Sequence, residues 1–330
     1  MKKLTPALVA TLAFALLTTA CTATEENPGT AEPDSSATAS TDAAPGPTET
    51  ADTGDTAIGD TDPQTGYAVD GTFTIAITGD PGTLNPLNNA STFGNWLNRF
   101  LYDPLVSRGP DGEIVSGLAD EWTFEGTKAT FHIDPAATCS DGSQVTPSVI
   151  GKNFEYMLNP DNPSTNIGSV LPNRNYTYEA DDAAGTFAIE LDTPFSLFPS
   201  ALSFLFVVCG EGADDPEALT TTSSGSGPFV LTEAVPNSQY TMTRRDGYAW
   251  GAGGATTAEE GTPATVVLQI VENETTAANL LAAGEINAAV VNGQDRSRLE
   301  AQGLAQRTFV SGGVVQSYNQ SEGRVTADKA

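Results

Sequence analysis

Residues 22–70 set the first limit on what this chain can fold into. They hold 11 acidic side chains and no lysine, arginine or histidine, and the remainder is mostly Thr, Ala, Ser, Gly and Pro. Such a stretch buries too little apolar surface to offset its conformational entropy, so it is expected to stay unfolded. Repulsion among its acids extends it, and a flexible chain of this length spans about 40 Å root-mean-square.

The segment before it, residues 1–20, has the three parts of an export signal. Lys2 and Lys3 form a positive end, residues 4–17 an apolar stretch, and Thr18, Thr19 and Ala20 a small-residue cleavage site. The apolar run is shorter than the roughly 20 residues that span a bilayer. Cys21 follows directly. This junction resembles the lipobox of bacterial lipoproteins, whose cysteine is acylated and becomes the new N-terminus. Thr18 stands where a lipobox has a large aliphatic residue, and Leu17 lies one position further back. The expected organisation is a removed signal peptide (1–20) and a lipid-anchored acidic tether (21–70). Together they hold a folded body outside the membrane.

The chain has 330 residues and a formal net charge of −28. Removing signal and tether leaves 31 acidic and 12 basic residues. That balance argues against a nucleic-acid partner, which needs a basic face, and against electrostatic attachment to anionic lipid. With Cys21 assigned to the anchor, Cys139 and Cys209 remain. Outside the cytoplasm two such cysteines most simply form a disulfide.

The folded part mixes strands and helices. "TFTIAI" alternates as a strand and ends in a turn at Asp80-Pro81-Gly82. In residues 91–109, Phe93, Trp96, Leu97, Phe100 and Leu101 fall at helical spacing, with Asp103-Pro104 marking the stop. Two short strands joined at Pro110-Asp111-Gly112 follow, and then a strand within residues 127–145. Thr146-Pro147 opens a helix to Leu158. Residues 185–191 read as a strand, and 196–209 as a short helix running into a strand. Residues 223–235 and 239–245 read as a hairpin, and 263–271 as a strand. A helix capped by Asn273 and stopped at Gly284 comes next. Residues 286–291, 294–303 and 314–320 complete the chain as strand, helix and strand. The class is α/β with insertions.

Catalytic patterns are absent. The single histidine, His132, lies mid-strand, where a solvent-facing or hydrogen-bonded role is the default. No G-x-S-x-G elbow and no H-E-x-x-H occurs, and the glycines at 225–227 lack the third glycine of a dinucleotide loop. Acids abound, but nothing singles out a pair. These absences favour a binding protein over an enzyme, with no catalytic residue, metal or cofactor expected.

Four blocks occur in order: "GTFTIAITGDPGTLNPLNN", "FLYDPLVSRGPDGEIVSGLADEW", "ATFHIDPAATCSDGSQVTPSVIGKNFEYML" and "GSGPFVLTEAVPNSQYTMTRRDGYAW". This order resembles the family 5 extracellular solute-binding proteins of ABC importers, the oligopeptide, dipeptide and nickel-binding type. The resemblance covers residues 71–320. It implies the N-terminal lobe of a type II periplasmic-binding-protein-like fold, with a mixed sheet and an inserted subdomain at 110–222. Family members continue into a second lobe, which would begin at 321–330 here and is otherwise missing.

The implied function is capture of a small solute, an oligopeptide, outside the membrane and its delivery to an ABC permease with its ATPase subunits. The lipid anchor is the only membrane contact. The alternative is a surface lipoprotein with an adhesive or sensing role, transport having been lost through truncation. A turn at the carboxyl end of a strand faces the crevice of an α/β sheet. Asp80, Gly82, Thr83 and Asn85 are therefore candidate ligand contacts, with Phe93 and Trp96 as cleft-lining aromatics. Trp122 is expected in the core, while Gly225, Gly227 and Pro228 are expected to shape a turn and touch no ligand.

Overall fold

The computed structural model describes residues 70–307, all within the unit Thr56–Ala330. The signal segment, Cys21, the tether before Asp70, the strand expected at 314–320 and residues 321–330 lie outside the described residues. β1 (Thr72–Ile77) leads through the Asp80-Pro81-Gly82 turn to α1 (Thr92–Leu101). Ser91 caps α1, its Oγ accepting from Gly94 N at 2.9 Å, a contact worth about 1 kcal/mol in a typical helix.

β2 (Val106–Arg108) and β3 (Ile114–Ser116) form a small antiparallel ribbon. β4 (Ala119–Glu125) and β5 (Lys128–Ile133) follow, then α2 (Pro147–Leu158), capped by Thr146. β6 (Tyr176–Asp181), β7 (Thr186–Leu191) and the short α3 (Phe198–Leu202) come next. β8 (Phe229–Val235) and β9 (Gln239–Arg244) make the hairpin. The chain continues through β10 (Thr265–Ile270), α4 (Glu274–Ala283), β11 (Ala288–Ala289) and α5 (Asp295–Ala301).

The strands sort into two larger sheets. One has the order β11-β1-β10-β9-β8, with β1 parallel to both β10 and β11 and the remaining pairs antiparallel. The other, β4-β5-β7-β6, is antiparallel throughout. This is a mixed α/β fold of the expected class. The main core packs residues of both sheets together, from Ile77 and Leu268 to Phe131 and Phe187. Helix α2 covers the second sheet through Phe154, fully buried, whose ring lies 5.0 Å from Phe187 and edge-on to Tyr176 at 5.8 Å.

Two expectations need revision. Burial rises along β1 instead of alternating: Phe73 is 39% exposed, while Ala76 and Ile77 are buried. The carboxyl half is covered on both faces, Ala76 by Ala277 and Ile286, and Ile77 by the main core. No strand follows α3. Residues 205–209 are all buried, but their backbone bonds to separate partners. Val207 N donates to Asp103 O, Val208 exchanges two 2.8 Å bonds with the Asn153 side chain, and Cys209 N donates to Ser224 O. Gly225 and Gly227 pack tightly against the end of α1. A Cβ on Gly227 would meet Phe100 O and Leu101 C at 2.5 Å, and one on Gly225 would meet Leu101 O at 2.3 Å. Both are glycines because the loop passes against the end of α1 with no room for a side chain.

Cys139 and Cys209 are joined as a disulfide across 70 residues. Trp122 packs half-buried against the core and Trp250 is buried. His132 stays on the surface, with Nδ1 2.7 Å from Asp120 Oδ1. That carboxylate raises the imidazole pKa, first through the hydrogen bond and then through its charge.

Candidate functional site

In an open α/β sheet the crevice lies outside the carboxyl ends of parallel strands. Here the parallel strands are β11, β1 and β10, and a cavity of about 540 Å³ sits at the carboxyl ends of β1 and β11. Its floor is Ile77, Thr78 and the 289–291 segment. Thr92, Phe93 and Trp96 of α1 form one wall. Leu281 of α4, Leu299 of α5 and residues 304–307 form the other. Phe93 and Trp96 meet edge to face, centroids 5.9 Å apart at 84°, a preferred aromatic geometry. Gly79 makes room for them, since a Cβ there would lie 2.9 Å from the Phe93 ring.

The polar groups of the cavity are positioned by α4 and α5. Glu274, in the first turn of α4, accepts from Asn292 N at 2.7 Å and from Gly293 N through the same oxygen. Its charge therefore fixes the turn after β11. Thr275 Oγ1 donates to Asp295 Oδ2 at 2.8 Å, and Arg298 bridges Asp295 and Asn279, tying the two helices together. Those contacts, Thr275 first, hold the Asp295 carboxyl below its usual range. Arg296 Nε donates to Gln306 Oε1 at 3.1 Å across the rim. Among the described residues lining the cavity there is no serine, cysteine or histidine, and His132 lies on the other sheet. Among the described residues no cluster of three His, Cys, Asp or Glu could hold a metal. Apolar walls with a few polar groups at the rim suit reversible binding.

Of the six candidate contacts, Phe93 and Trp96 line this cavity, and Asp80, Gly82, Thr83 and Asn85 do not. The turn residues are engaged in holding the chain together. Asp80 accepts from Gly82 N at 2.7 Å, from Asn237 N at 2.6 Å and from the Tyr240 hydroxyl at 3.0 Å. Burial, with Asp80 adding to it, pushes the Tyr240 phenol up. Thr83 Oγ1 donates to Leu219 O, and buried Asn85 accepts from Leu87 N. Glu274, Asn292, Arg296 and Arg307 were not among the candidates. The strand-end rule that pointed to Asp80 would have found Asn292 had it been applied to the strand before "VVNG".

A second cavity of about 250 Å³ lies behind α1, beside Asp103. Asp103 is buried. Its Oδ1 accepts from the Tyr248 hydroxyl at 2.8 Å, and its Oδ2 from Ser226 Oγ at 3.0 Å and Trp250 Nε1 at 3.2 Å. Burial raises its carboxyl to about 6, against the opposing pull of these hydrogen bonds and of Arg245.

The sequence matches the family model of bacterial extracellular solute-binding proteins, family 5 Middle, over residues 113–326. Among solved structures it is similar to a substrate-binding protein from Microbacterium hydrocarbonoxydans complexed with 4-hydroxybenzoate hydrazide. That match has 30% identity and a TM-score of 0.64, and covers 78% of this chain and 54% of that one. The ABC transporter-associated periplasmic binding protein DppA of Helicobacter pylori, in complex with the peptide STSA, matches at 22% identity and a TM-score of 0.60, covering 70% and 49%. CtaP of Listeria monocytogenes, an ABC transporter substrate-binding protein, matches at 23% and 0.58, covering 70% and 46%. No curated protein matches the sequence. The chain spans about half the length of the solved structures it matches. With most of its described residues inside the matched family region, the chain belongs to the bacterial extracellular solute-binding proteins of family 5.

Proposed function

We propose that this protein captures a small solute, a peptide or a compound of similar size, outside the cell membrane and hands it to an ABC permease. The observation that carries this reading is the 540 Å³ cavity at the carboxyl ends of β1 and β11, walled by Phe93 and Trp96 in a family 5 chain. Phe93 and Trp96 contact the solute directly. Asp80, Gly82, Thr83 and Asn85 act one layer back, holding the loop that leads into α1. In the full receptor a second lobe closes over the cavity, and solute favours the closed form because only that form touches it from both sides. The solved relatives carry a peptide in one case and an aromatic hydrazide in another, so the family site accommodates both kinds of ligand.

Cys21 is the lipid attachment point, and the acidic segment after it is the tether between membrane and lobe. ATP hydrolysis by the partner ATPase subunits drives import, and this chain makes and breaks no covalent bond. Two measurements test the reading. A thermal-shift screen of the 330-residue protein against short peptides and small aromatic solutes should give hits that weaken in Trp96→Ala. Metabolic labelling with an alkyne fatty acid should mark the wild type and not Cys21→Ser. No hit in the screen, or hits indifferent to Trp96, would overturn solute capture at this site.

A further inference from the structure

Three charged side chains line the cavity, and they differ in what they already hold. Glu274 is used by the Asn292 and Gly293 backbone. Arg296 donates to Gln306. Arg307 forms no ion pair or hydrogen bond among the described residues, although it lies on the wall of a cavity large enough for a small solute. Three arginines elsewhere in the fold are committed: Arg244 to Asp70, Arg245 to the carbonyls of Ser226 and Thr138, and Arg298 to Asp295. The chain as a whole carries −28, so its long-range field repels anions. An uncommitted guanidinium on the wall offsets that repulsion locally, within about a Debye length of 8–10 Å. The same cavity presents the Phe93–Trp96 pair, both half-buried, which suits a planar apolar body.

Resting on the proposed solute-capture role, we infer that the solute pairs a planar apolar body with an acidic group. The body lies against Phe93 and Trp96, and the carboxylate or similar anion against Arg307. Guanidinium to carboxylate is a charge-assisted, often bidentate contact, so a neutral isostere of the same shape should bind about tenfold more weakly.

The test is a titration of the 330-residue protein followed by the indole N–H signals of its three tryptophans, with Trp96 assigned from its Trp96→Phe variant. The probes are benzoate, its neutral isostere benzamide, and benzylamine. Benzoate should shift the Trp96 signal, benzamide should require about tenfold more ligand, and benzylamine should be without effect. In Arg307→Gln, a change at an exposed position, benzoate should fall to the level of benzamide while the thermal midpoint stays unchanged. Equal affinity for benzoate and benzamide, or an Arg307→Gln variant that binds benzoate as the wild type does, would overturn the inference. Binding of a neutral peptide or benzamide at Trp96 without any benzoate preference leaves solute capture standing and removes only the acidic group. If no probe and no peptide shifts Trp96, both readings fall.

Discussion

Tyr248 donates its phenolic proton to Asp103 across 145 residues of chain, at 2.8 Å, with both side chains buried. The bond closes the end of α1 against the loop that follows β9. Burial, opposed by this bond, makes the carboxylate a pH-dependent liability. Burial raises Asp103 from an unfolded value near 3.8 to about 6. Because the folded pKa is the higher, the folded state holds the proton that the unfolded chain releases. The stability contributed by this group is therefore full below pH 4 and is lost as pH rises from about 4 through 6. Denaturant titrations should find that wild type loses about 2–3 kcal/mol relative to Asp103→Asn between pH 4 and pH 7. Parallel curves for the two proteins would refute it.

The loop that delivers Ser226 beside Asp103 is equally constrained. Gly227→Ala would drive a methyl into the backbone of Phe100 and Leu101. A backbone obstacle does not rotate away, so the expected loss is about 3 kcal/mol or more. Gly82→Ala is the control. Gly82 has φ +82° and open space around it, so only left-handed backbone strain applies, about 1–2 kcal/mol. Urea melts should rank the two variants in that order.

Cys139 and Cys209 close a loop that contains all of α2, β6, β7 and α3. Opening it restores entropy to the unfolded chain. Cys139→Ala with Cys209→Ala should lower stability by about 2–4 kcal/mol while keeping the wild-type circular dichroism spectrum at low temperature. A reductant should shift the wild-type melt by a similar amount and leave the double variant where it is.

Much of this architecture is legible in the sequence because local signals agree with the tertiary result. Thr146-Pro147 opens α2 and Asn273 with Gly284 bounds α4 as read, since caps act through their own neighbours. The two strands that were missed, β4 and β6, are the edges of the second sheet. An edge strand carries charge such as Asp120, Glu121 and Glu179, which blurs its pattern. Residues 205–209 misled in the opposite way. Complete burial gives an apolar run like that of a central strand, but Asn153 and Asp103 supply the backbone partners that a neighbouring strand would have given. The site was half legible for a related reason. Phe93 and Trp96 stand out by type, whereas Arg307 reaches the cavity only through the placement of α5 and the segment after it, which no local pattern encodes.

Solute capture at the ends of β1 and β11 is the central claim, and hydrogen exchange read by mass spectrometry locates it directly. With the best-binding solute from the thermal-shift screen present, protection should rise at Ile77 and Thr78, along residues 92–96 and at residues 289–292, and stay unchanged in the second sheet. Protection confined to the second sheet, or to the cavity beside Asp103, would contradict the account.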